Sequence, residues 1–405
     1  MTSVKKTTMN IVHAGMGLGM KAINIPRPVL YEGPGSSGKL KDILEAEGKV
    51  RPLIVTSPGT VQRDYFKEIM DSLLENKFEP VVCGIINNDP DICHVKEIAR
   101  MYRDEECDSM IAIGGGSPMD AMKGAACLIA RPRSDLRKMK GLMKVGRKTP
   151  LMIAVPTTAG TGSECTIAAV ITDETKNYKF TVSDLSLCPK YAILDGKLTV
   201  SLPKSVTAMT GMDALTHAVE AYLNTPYHKA DTKELCESAV SKIFKYLEIA
   251  CQEPEDIAVR QNMLKASFEA GEAFTVACVG YVHAIGHGIG GIYHLPHGQC
   301  MAVLLPLVLL DYGKAAYRPL AKLATRTGVV EDDGSGDRKI ALKFIDKIRA
   351  LNRSLGIDPK FKDLRPEDMD EIARRAVKEA VPLYPTPVTY TEEDVKRVLA
   401  LAMGE

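Results

Sequence analysis

The sequence predicts an α/β domain with a doubly wound, mostly parallel sheet, followed by an all-helical domain. The chain has 405 residues, which is more than one hydrophobic core supports, because single cores stop growing at about 250 to 300 residues. Strand and helix patterns alternate between residues 50 and 200, whereas only helical periodicity follows Pro203. We therefore expect an α/β domain over residues 1–200 and a helical domain over residues 201–405.

The sheet is predicted from five short apolar runs that alternate with helical patterns, of which residues 61–76 and 118–130 are the clearest. Alternation of strand and helix favours parallel pairing, because a parallel connection needs a crossover that a helix supplies. The predicted strands are PLIVTS (52–57), EPVVCGI (79–85), SMIAIGGG (109–116), LMIAVPTT (151–158) and YAILD (191–195).

The helical domain is predicted from three long segments whose apolar residues recur at the i, i+3, i+4 and i+7 positions of a helix. These segments are residues 205–223, 230–250 and 257–277, with no convincing strand between them. The stretch GKLTVSLP (196–203) combines turn and breaker residues and marks the domain boundary.

Composition excludes several classes of partner. The 52 basic and 51 acidic residues leave a net charge of +1, so we expect no binding to nucleic acid or to an anionic membrane. The longest apolar run, residues 301–310, is half of the roughly 20 residues that a membrane span needs. Lys5 and Lys6 precede a stretch, residues 9–20, that Gly and His13 interrupt too often for a secretory signal. Ten scattered cysteines without a CxxC pair indicate reduced thiols, and the predicted location is the cytoplasm.

Two glycine-rich stretches imitate nucleotide-binding motifs without their context. GPGSSGK (33–39) nearly matches a phosphate-binding loop, but Leu40 stands where a metal-coordinating hydroxyl is needed, and no strand is predicted before it. We interpret it as a surface turn that leads into a helix over residues 39–48. GHGIGG (286–291) fits GxGxxG by letter, yet it follows the helical pattern of residues 257–287 and not a strand.

Two other loops follow predicted strands of the sheet and are rich in glycine and hydroxyl groups. GGGSPMD (114–120) opens a helix, where free N–H groups and the helix dipole suit a pyrophosphate. Asp120 is also interpreted as a first-turn carboxylate that stabilises that helix. PTTAGTGSE (156–164) follows the next strand. Loops at the carboxyl ends of parallel strands predict a ligand that carries phosphates.

Four of the eight histidines lie between residues 283 and 297, which indicates a metal site. Residues four apart share a helix face, so Asp213 and His217 point the same way, and so do His283 and His287. His297 follows in a predicted loop. One carboxylate and several imidazoles suit a divalent ion of intermediate softness, Fe(II) or Zn, although spacing alone does not decide which imidazoles bind. His13, His94 and His228 are interpreted as ordinary core or surface groups.

These motifs together resemble those of the iron-containing, group III alcohol dehydrogenase family. The resemblance extends from about Pro26 to Ala402, nearly the whole chain. It implies the architecture shared with dehydroquinate synthase, a homodimer or higher homo-oligomer, and a small alcohol, aldehyde or ketone as substrate. Its motifs are GGGSPMDAMK (114–123), PTTAGTGSE (156–164), GMDALTHAVEAY (211–222) and GYVHAIGHGIGGIYHLPHG (280–298).

The resemblance also implies roles for individual residues. His287 is implied to be a non-ligand beside the substrate that transfers protons, and His294 lies outside the metal set. The dinucleotide is implied to lie between the domains. The implied metal ligands are Asp213, His217, His283 and His297. The implied cofactor contacts are Ser57, Gly115, Gly116, Ser117, Asp120, Thr157, Thr158, Thr161 and Lys179.

Ser57 departs from the pattern of many family members, which carry Asp directly after the first strand. That carboxylate accepts a hydrogen bond from the ribose and repels a 2′-phosphate. Ser57 is uncharged and can donate a hydrogen bond to a phosphate. The cofactor is therefore NAD or NADP, with NADP(H) favoured.

The expected reaction is hydride transfer between NAD(P)(H) and a small alcohol or carbonyl compound. A divalent ion beside the nicotinamide would act as a Lewis acid on the substrate oxygen. The alternative is a metal- and dinucleotide-binding lyase or hydrolase on the same fold, as dehydroquinate synthase illustrates. A dinucleotide-binding protein without catalysis would leave the metal site without a purpose.

Overall fold

The structure is a computed structural model, and it describes residues 15–17, 19, 22–87, 90–175 and 178–404. Lys5, Lys6 and His13 lie outside the described residues. The chain forms two compact units. The α/β unit comprises Ile25–Leu202 and Pro254–Phe268, and the helical unit comprises Pro203–Glu253, the chain from Glu269 onward and the described residues before Ile25. The predicted boundary between residues 200 and 201 stays a prediction.

The α/β unit is built on a six-stranded sheet in which every pairing is parallel. Its order is β1-β9-β6-β4-β2-β3, and it contains all five predicted strands. The sequence missed β1, so the prediction that no strand precedes residues 33–39 is wrong. This edge strand has only four residues, and Val29 is 51% exposed, so it lacks the buried run by which we recognised the others. The strands are β1 (Val29–Glu32), β2 (Pro52–Val55), β3 (Val81–Cys83), β4 (Ser109–Gly114), β6 (Leu151–Pro156) and β9 (Tyr191–Leu194).

A small second sheet was not predicted. It consists of β5 (Gly141–Leu142), β7 (Ala168–Asp173) and β8 (Tyr178–Ser183) in the order β5-β8-β7. Strands β7 and β8 run antiparallel, and β5 has only two residues. Two residues give no periodicity from which to predict β5, whereas β7 and β8 have six residues each but lack the continuous buried run by which we recognised β2, β4 and β6.

Helices cover both faces of the large sheet, which is the predicted doubly wound arrangement. Along β4, Met110 and Ala112 face one hydrophobic core, whereas Ile111 and Ile113 face the other. This alternation follows from the two-residue period of a strand. Helices α4 and α5 pack on the first core, and α1 and α3 pack on the second. The helices are α1 (Lys39–Ala46), α2 (Pro58–Val61), α3 (Asp64–Glu75), α4 (Ile92–Asp104) and α5 (Gly116–Ala130).

The helical unit contains the three long helices predicted from periodicity, although part of one belongs to the α/β unit. That helix, α8 (Ile257–Ala277), is divided: its residues up to Phe268 belong to the α/β unit, and those from Glu269 belong to the helical unit. Among the described residues, no single helix is long and apolar enough to cross a membrane, while two sharply bent helix pairs satisfy length and composition together. The helices are α6 (Lys204–Leu223), α7 (Thr232–Gln252), α8 (Ile257–Ala277), α9 (Tyr281–Tyr293), α10 (His297–Tyr312), α11 (Lys314–Arg326), α12 (Asp337–Ser354), α13 (Met369–Leu383) and α14 (Glu392–Ala402).

Two local predictions in this unit are wrong. The helical pattern of residues 257–287 is interrupted after Ala277, because Cys278 adopts a left-handed φ of 62° and the next helix begins at Tyr281. His297 was expected in a loop, but it is the first residue of α10. Pro296, with φ −55° and ψ 129°, is the N-cap of the helix, so the loop ends before His297 and does not extend to Gly298.

Candidate functional site

Three segments of the helical unit bring the predicted metal ligands together. Helix α6 carries Asp213 and His217 one turn apart, and both side chains are buried. Helix α9 carries His283 and His287 at the same spacing. His297 enters from the first turn of α10. The i, i+4 spacing read from the sequence therefore places each pair on one helix face.

The side-chain atoms of Asp213, His283 and His297 converge on one point. Asp213 Oδ1 lies 3.6 Å from His283 Nε2 and 3.3 Å from His297 Nε2, and the three ligand atoms lie within 4.8 Å of one another. Asp213 Oδ1 and His283 Nε2 are buried without a hydrogen-bond partner among the described residues. Leaving such atoms unsatisfied is costly, and one divalent ion would satisfy both. An oxygen and two imidazole nitrogens fit Fe(II) or Zn.

His217 lies beside this group and outside the set of three. Its Nε2 is 3.9 Å from Asp213 Oδ1. Its ring stacks between Phe274, with centroids 4.2 Å apart, and His283, with centroids 4.5 Å apart. The family resemblance implies that His217 is a fourth ligand, and the geometry brings it next to the other three.

Asp213 and the neighbouring histidines shift one another's pKa values. Burial by itself raises the pKa of Asp213, but the charges of His217 and His297 and the nearby Nε2 atoms of His283 and His297 hold that pKa well below its usual range. Burial lowers the pKa of His283, yet its carboxylate neighbours Asp213 and Glu220 raise it to about 9. Asp213 is thus a carboxylate at neutral pH, which is the form that binds a cation.

Sequence reasoning missed two carboxylates that bind the Nδ1 atoms of His283 and His287. Glu220 Oε2 lies 2.6 Å from His283 Nδ1, and Glu379 Oε1 lies 2.8 Å from His287 Nδ1. A glutamate in an amphipathic helix normally faces solvent, so neither residue stood out. The only signal for Glu220 was its place on the same stripe of α6 as Asp213 and His217.

His287 is next to the three-residue group and is held by a short hydrogen-bonded chain. Its ring stacks on that of His297, with centroids 5.3 Å apart. Glu379 Oε1 also accepts a hydrogen bond of 2.9 Å from the Tyr384 hydroxyl. Burial raises the pKa of Glu379, but the interactions with His287 and Tyr384 lower it below its usual value. His294 instead ends α9 in a left-handed conformation.

In the α/β unit, the two predicted dinucleotide loops lie against each other. They follow β4 and β6, which pair in parallel so that Gly114 lies opposite Pro156. Thr157 N donates a hydrogen bond of 2.8 Å to Gly114 O. A Cβ atom on Gly116 would lie 2.7 Å from Thr161 Cγ2, so only glycine permits this approach. A Cβ atom on Gly115 would lie 3.1 Å from Thr158 Oγ1, a tight but less severe contact, and Ser117 follows in the first turn of α5.

Asp120 and Lys123 secure the second loop to α5. Asp120 Oδ1 accepts from Ser163 Oγ at 2.7 Å, and Asp120 Oδ2 accepts from Val170 N at 3.0 Å. We expected Asp120 in the first turn of the helix. The helix begins at Gly116, so Asp120 lies just beyond that turn. The fully buried Lys123 donates to the carbonyl oxygens of Ser163 and Thr166 at 2.6 and 2.9 Å. Sequence reasoning passed over this lysine.

Two further predicted cofactor residues lie at distinct places in the α/β unit. Ser57 follows β2 as the N-cap of α2, and its hydroxyl accepts from Thr60 N at 3.1 Å. Its Oγ also lies 2.9 Å from Thr60 Oγ1. Lys179 lies on β8 opposite Thr172 of β7 and is half-buried.

Comparison with known proteins agrees with this architecture. Residues 207–403 match the model of the Fe-containing alcohol dehydrogenase family, C-terminal, and residues 27–196 match that of iron-containing alcohol dehydrogenase. Alcohol dehydrogenase 4 of Schizosaccharomyces pombe is 33% identical over 388 residues, 95% of this chain and 89% of that protein. The NADPH-dependent butanol dehydrogenase of Clostridium saccharobutylicum is 30% identical over 370 residues, 89% of this chain and 92% of that protein. The structure of alcohol dehydrogenase from Oenococcus oeni matches with a TM-score of 0.90 and 34% identity, covering 94% of this chain and 100% of that chain.

A parallel α/β unit with paired glycine loops, and a helical unit that gathers an aspartate and histidines, define a class of dinucleotide-linked oxidoreductases. The chain belongs to the iron-containing alcohol dehydrogenase family. It transfers hydride between NAD(P)(H) and a small alcohol or carbonyl compound. The resemblance predicted from the motifs is thereby confirmed.

Proposed function

We propose that Asp213, His217, His283 and His297 hold one Fe(II) ion, with Zn as the alternative. The observation that carries this proposal is the convergence of Asp213 Oδ1 with His283 Nε2 and His297 Nε2 within 4.8 Å. When bound, the ion supplies Lewis acidity to the oxygen of the alcohol or carbonyl substrate. The low pKa of Asp213 supports its role as the anionic ligand.

We further propose that His287 moves the proton of the substrate hydroxyl. It is not a ligand in this proposal, and its side chain is 26% exposed, which gives a proton a route to water. The bond from His287 Nδ1 to Glu379 fixes the ring and leaves Nε2 for proton transfer. Glu379 is a positioning residue in this arrangement.

For the cofactor, we propose that the loops after β4 and β6 bind the pyrophosphate through Gly115, Gly116, Ser117, Thr157, Thr158 and Thr161. The N-terminus of α5 lies in the first loop and favours an anion. Asp120 acts by holding the second loop, and Lys179 is assigned to the ribose. Ser57 follows β2 without a charge, which supports a preference for NADP(H) over NAD(H).

The enzyme is proposed to work in the cytoplasm as a homodimer or a higher homo-oligomer. No disulfide joins any of its ten cysteines, all of which the structure describes, and this suits a reducing compartment. Light scattering of the purified protein tests the assembly, and a monomer at micromolar concentration would contradict it.

The proposal is tested by purifying the protein without oxygen, quantifying bound metal and following NADPH and NADH oxidation at about 340 nm with short aldehydes and ketones. Chelation should abolish turnover, and Fe(II) or Zn should restore it. His283→Ala and His297→Ala should lose metal together with activity. Full activity of the metal-free protein would refute the metal assignment. Strongly favoured NADH would refute the Ser57 assignment alone.

A further inference from the structure

We infer that Glu220 is a positioning residue that fixes His283 in the tautomer and orientation needed to bind the metal ion. This inference rests on the proposed metal site. Glu220 does not touch that site's ligand atoms in this assignment. Glu220 binds Nδ1 of His283, whereas the metal ion would bind Nε2. Glu220 also accepts hydrogen bonds from the backbone of Gly280 and Val282, at the start of the helix that carries His283.

Glu220 lies on the face of α6 that already carries Asp213 and His217. Residues at i, i+4 and i+7 share one side of a helix. These positions are Asp213, His217 and Glu220, and Asn224 follows as the C-cap of the helix. The first two residues of this stripe are proposed ligands. Glu220 and Asn224 bind the chain between α8 and α9, which leads to the third ligand, His283. One helix face therefore organises both halves of the site.

The carboxylate of Glu220 is fully used by partners at the start of α9. Its Oε2 accepts from Gly280 N at 2.8 Å and lies 2.6 Å from His283 Nδ1. Its Oε1 accepts from Val282 N at 2.7 Å. These backbone N–H groups belong to the first turn of the helix or the residue before it, where donors lack intrahelical partners and an anion is stabilised. The residue is 2% exposed, so the bonds form in a dry environment.

This arrangement depends on glycine at position 280. A Cβ atom on Gly280 would lie 2.7 Å from Glu220 Oε1 and 3.1 Å from its Cδ, which is closer than non-bonded atoms approach. The carboxylate thus occupies the space that a side chain would need. Gly280 makes room for Glu220 at the start of the helix that carries His283.

Asn224 holds the other end of the same turn. Its Nδ2 lies 3.0 Å from the carbonyl oxygen of Ala277, 3.2 Å from that of Cys278 and 2.9 Å from that of Val279, so its two N–H groups are shared among three acceptors. The Ala277 carbonyl belongs to the last turn of α8, where acceptors lack an intrahelical partner, and those of Cys278 and Val279 lie in the turn that follows. The bonds stabilise the left-handed Cys278, with a φ of 62°, at which the chain leaves α8. Asn224 and Glu220 together fix the turn at both ends.

The consequence for His283 is a single tautomer. A carboxylate only accepts hydrogen bonds, so His283 Nδ1 must donate to Glu220. A bound metal ion would displace the proton from Nε2 and not from Nδ1, and Nε2 is the atom that lies 3.6 Å from Asp213 Oδ1. A carboxylate behind a histidine ligand also makes the imidazole a stronger donor to a metal, and losing such a partner typically costs metal affinity.

The test compares Glu220→Gln with a matched control in the full-length protein. Glutamine keeps the size of the side chain but replaces one acceptor oxygen with an amide donor, which opposes the N–H groups that face it. The control is Asp394→Asn, since Asp394 Oδ2 likewise accepts from a backbone N–H, that of Thr391, at 2.8 Å beside the N-terminus of α14. Metal-free protein is titrated with Zn or Co(II) against a competing chelator, and the visible spectrum of the Co(II) form is recorded.

We expect Glu220→Gln to weaken metal binding by about 10- to 100-fold and to alter the Co(II) spectrum. Asp394→Asn should bind metal as the wild type does. Equal affinity and identical spectra for Glu220→Gln and wild type would overturn the inference and leave the proposed metal site intact. A wild type that binds neither ion would overturn the proposed function first, and the inference with it.

A second measurement keeps the inference testable if Glu220→Gln does not fold. The Zn-loaded wild type should show a downfield imidazole N–H resonance, because the hydrogen bond to Glu220 protects the His283 Nδ1 proton from exchange with water. This resonance should be assignable to the Nδ1 proton by ¹⁵N correlation and should persist when Zn binds. A Zn-loaded protein in which His283 carries its proton on Nε2, or no proton at Nδ1, would contradict the assignment.

Discussion

Ser37 Oγ lies 2.7 Å from Asp195 Oδ2, so the loop that imitates a phosphate-binding loop binds a carboxylate of its own chain. The backbone N–H groups of Gly35 and Ser37 donate to the same carboxylate at 3.0 and 3.1 Å. The loop follows strand β1 and leads into α1, as a phosphate-binding loop would. The N–H and hydroxyl donors of this loop bind Asp195, the residue after β9. We therefore expect no nucleoside triphosphate to bind there.

The first prediction is that Asp195→Asn destabilises the protein without affecting metal binding. The asparagine cannot accept at both former oxygens, so donors in the loop lose a charged partner, at a cost of about 1–3 kcal/mol. Thermal unfolding measures the loss. Asp42→Asn is the control, because Asp42 forms an exposed ion pair with Lys39, which contributes little to stability. Equal unfolding midpoints for the two variants, or MgATP binding to the wild type in calorimetry, would contradict this interpretation.

The second prediction concerns Glu164, which is buried and whose Oε1 has no hydrogen-bond partner within the part of the chain that the structure describes. Burial raises the pKa of this carboxyl from 4.5 to about 7, against the lowering effects of a backbone hydrogen bond and of Lys123. The folded protein therefore holds the proton more tightly than the unfolded chain. The free energy of unfolding should fall as pH rises from 4.5 to about 7.

Glu164→Gln removes this ionisation, so the stability of the variant relative to wild type should rise across that window by up to about 3 kcal/mol. Denaturant unfolding of both proteins at about pH 5 and about pH 8 measures the change. Glu68→Gln, at an exposed position of α3, is measured alongside as the control for the substitution itself. A Glu164→Gln difference that is the same at both pH values would contradict the prediction.

The third prediction tests Ser57 through substitutions that keep its N-cap. Serine, asparagine and aspartate cap helices about equally well, so Ser57→Asp and Ser57→Asn should both preserve α2. Only aspartate adds a negative charge, and contact between like charges costs several kcal/mol. We expect Ser57→Asp to lower the ratio of kcat/KM for NADPH to that for NADH at least about tenfold, and Ser57→Asn to change it much less. An unchanged ratio in Ser57→Asp would place the 2′-phosphate elsewhere.

Local periodicity was enough to predict the buried strands, the long helices and the histidine pairs. Each of these signals lies within about one helical turn or one strand of sequence. Short or exposed elements carry weaker signals, which explains why β1 and β5 were missed, and β7 and β8 were missed because they are buried only at alternate or scattered positions. The break after Ala277 was missed because Cys278 is not a residue type that normally adopts a left-handed φ, which costs energy without glycine.

The carboxylates behind the histidines were missed for a different reason. Glu379 lies 92 residues from His287 along the chain, and only the packing of α13 beside α9 brings them together. No pattern within one segment encodes such a pair. Glu220 was closer to prediction, since it shares a helix stripe with Asp213, but its partner His283 lies 63 residues away.

The fourth prediction separates proton transfer from metal binding. His287→Ala should lower kcat in both directions by about 10²-fold, because His287 is the proposed proton carrier beside the three-residue group. Its ring stacks on His297 without joining that group. The variant should therefore keep the wild-type metal content, which elemental analysis measures.

His297→Ala is the matched comparison, since it should lose metal and activity together. Glu379→Gln should produce a smaller loss of kcat than His287→Ala, with metal retained, because it loosens the His287 ring without removing it. Tyr384→Phe removes only the outer hydrogen bond of the chain and should have the smallest effect. The order His287, Glu379, Tyr384 thus follows distance from the reacting proton. An unchanged rate and pH profile in His287→Ala, or loss of metal from that variant, would show that His287 does not carry the proton or that it is itself a ligand.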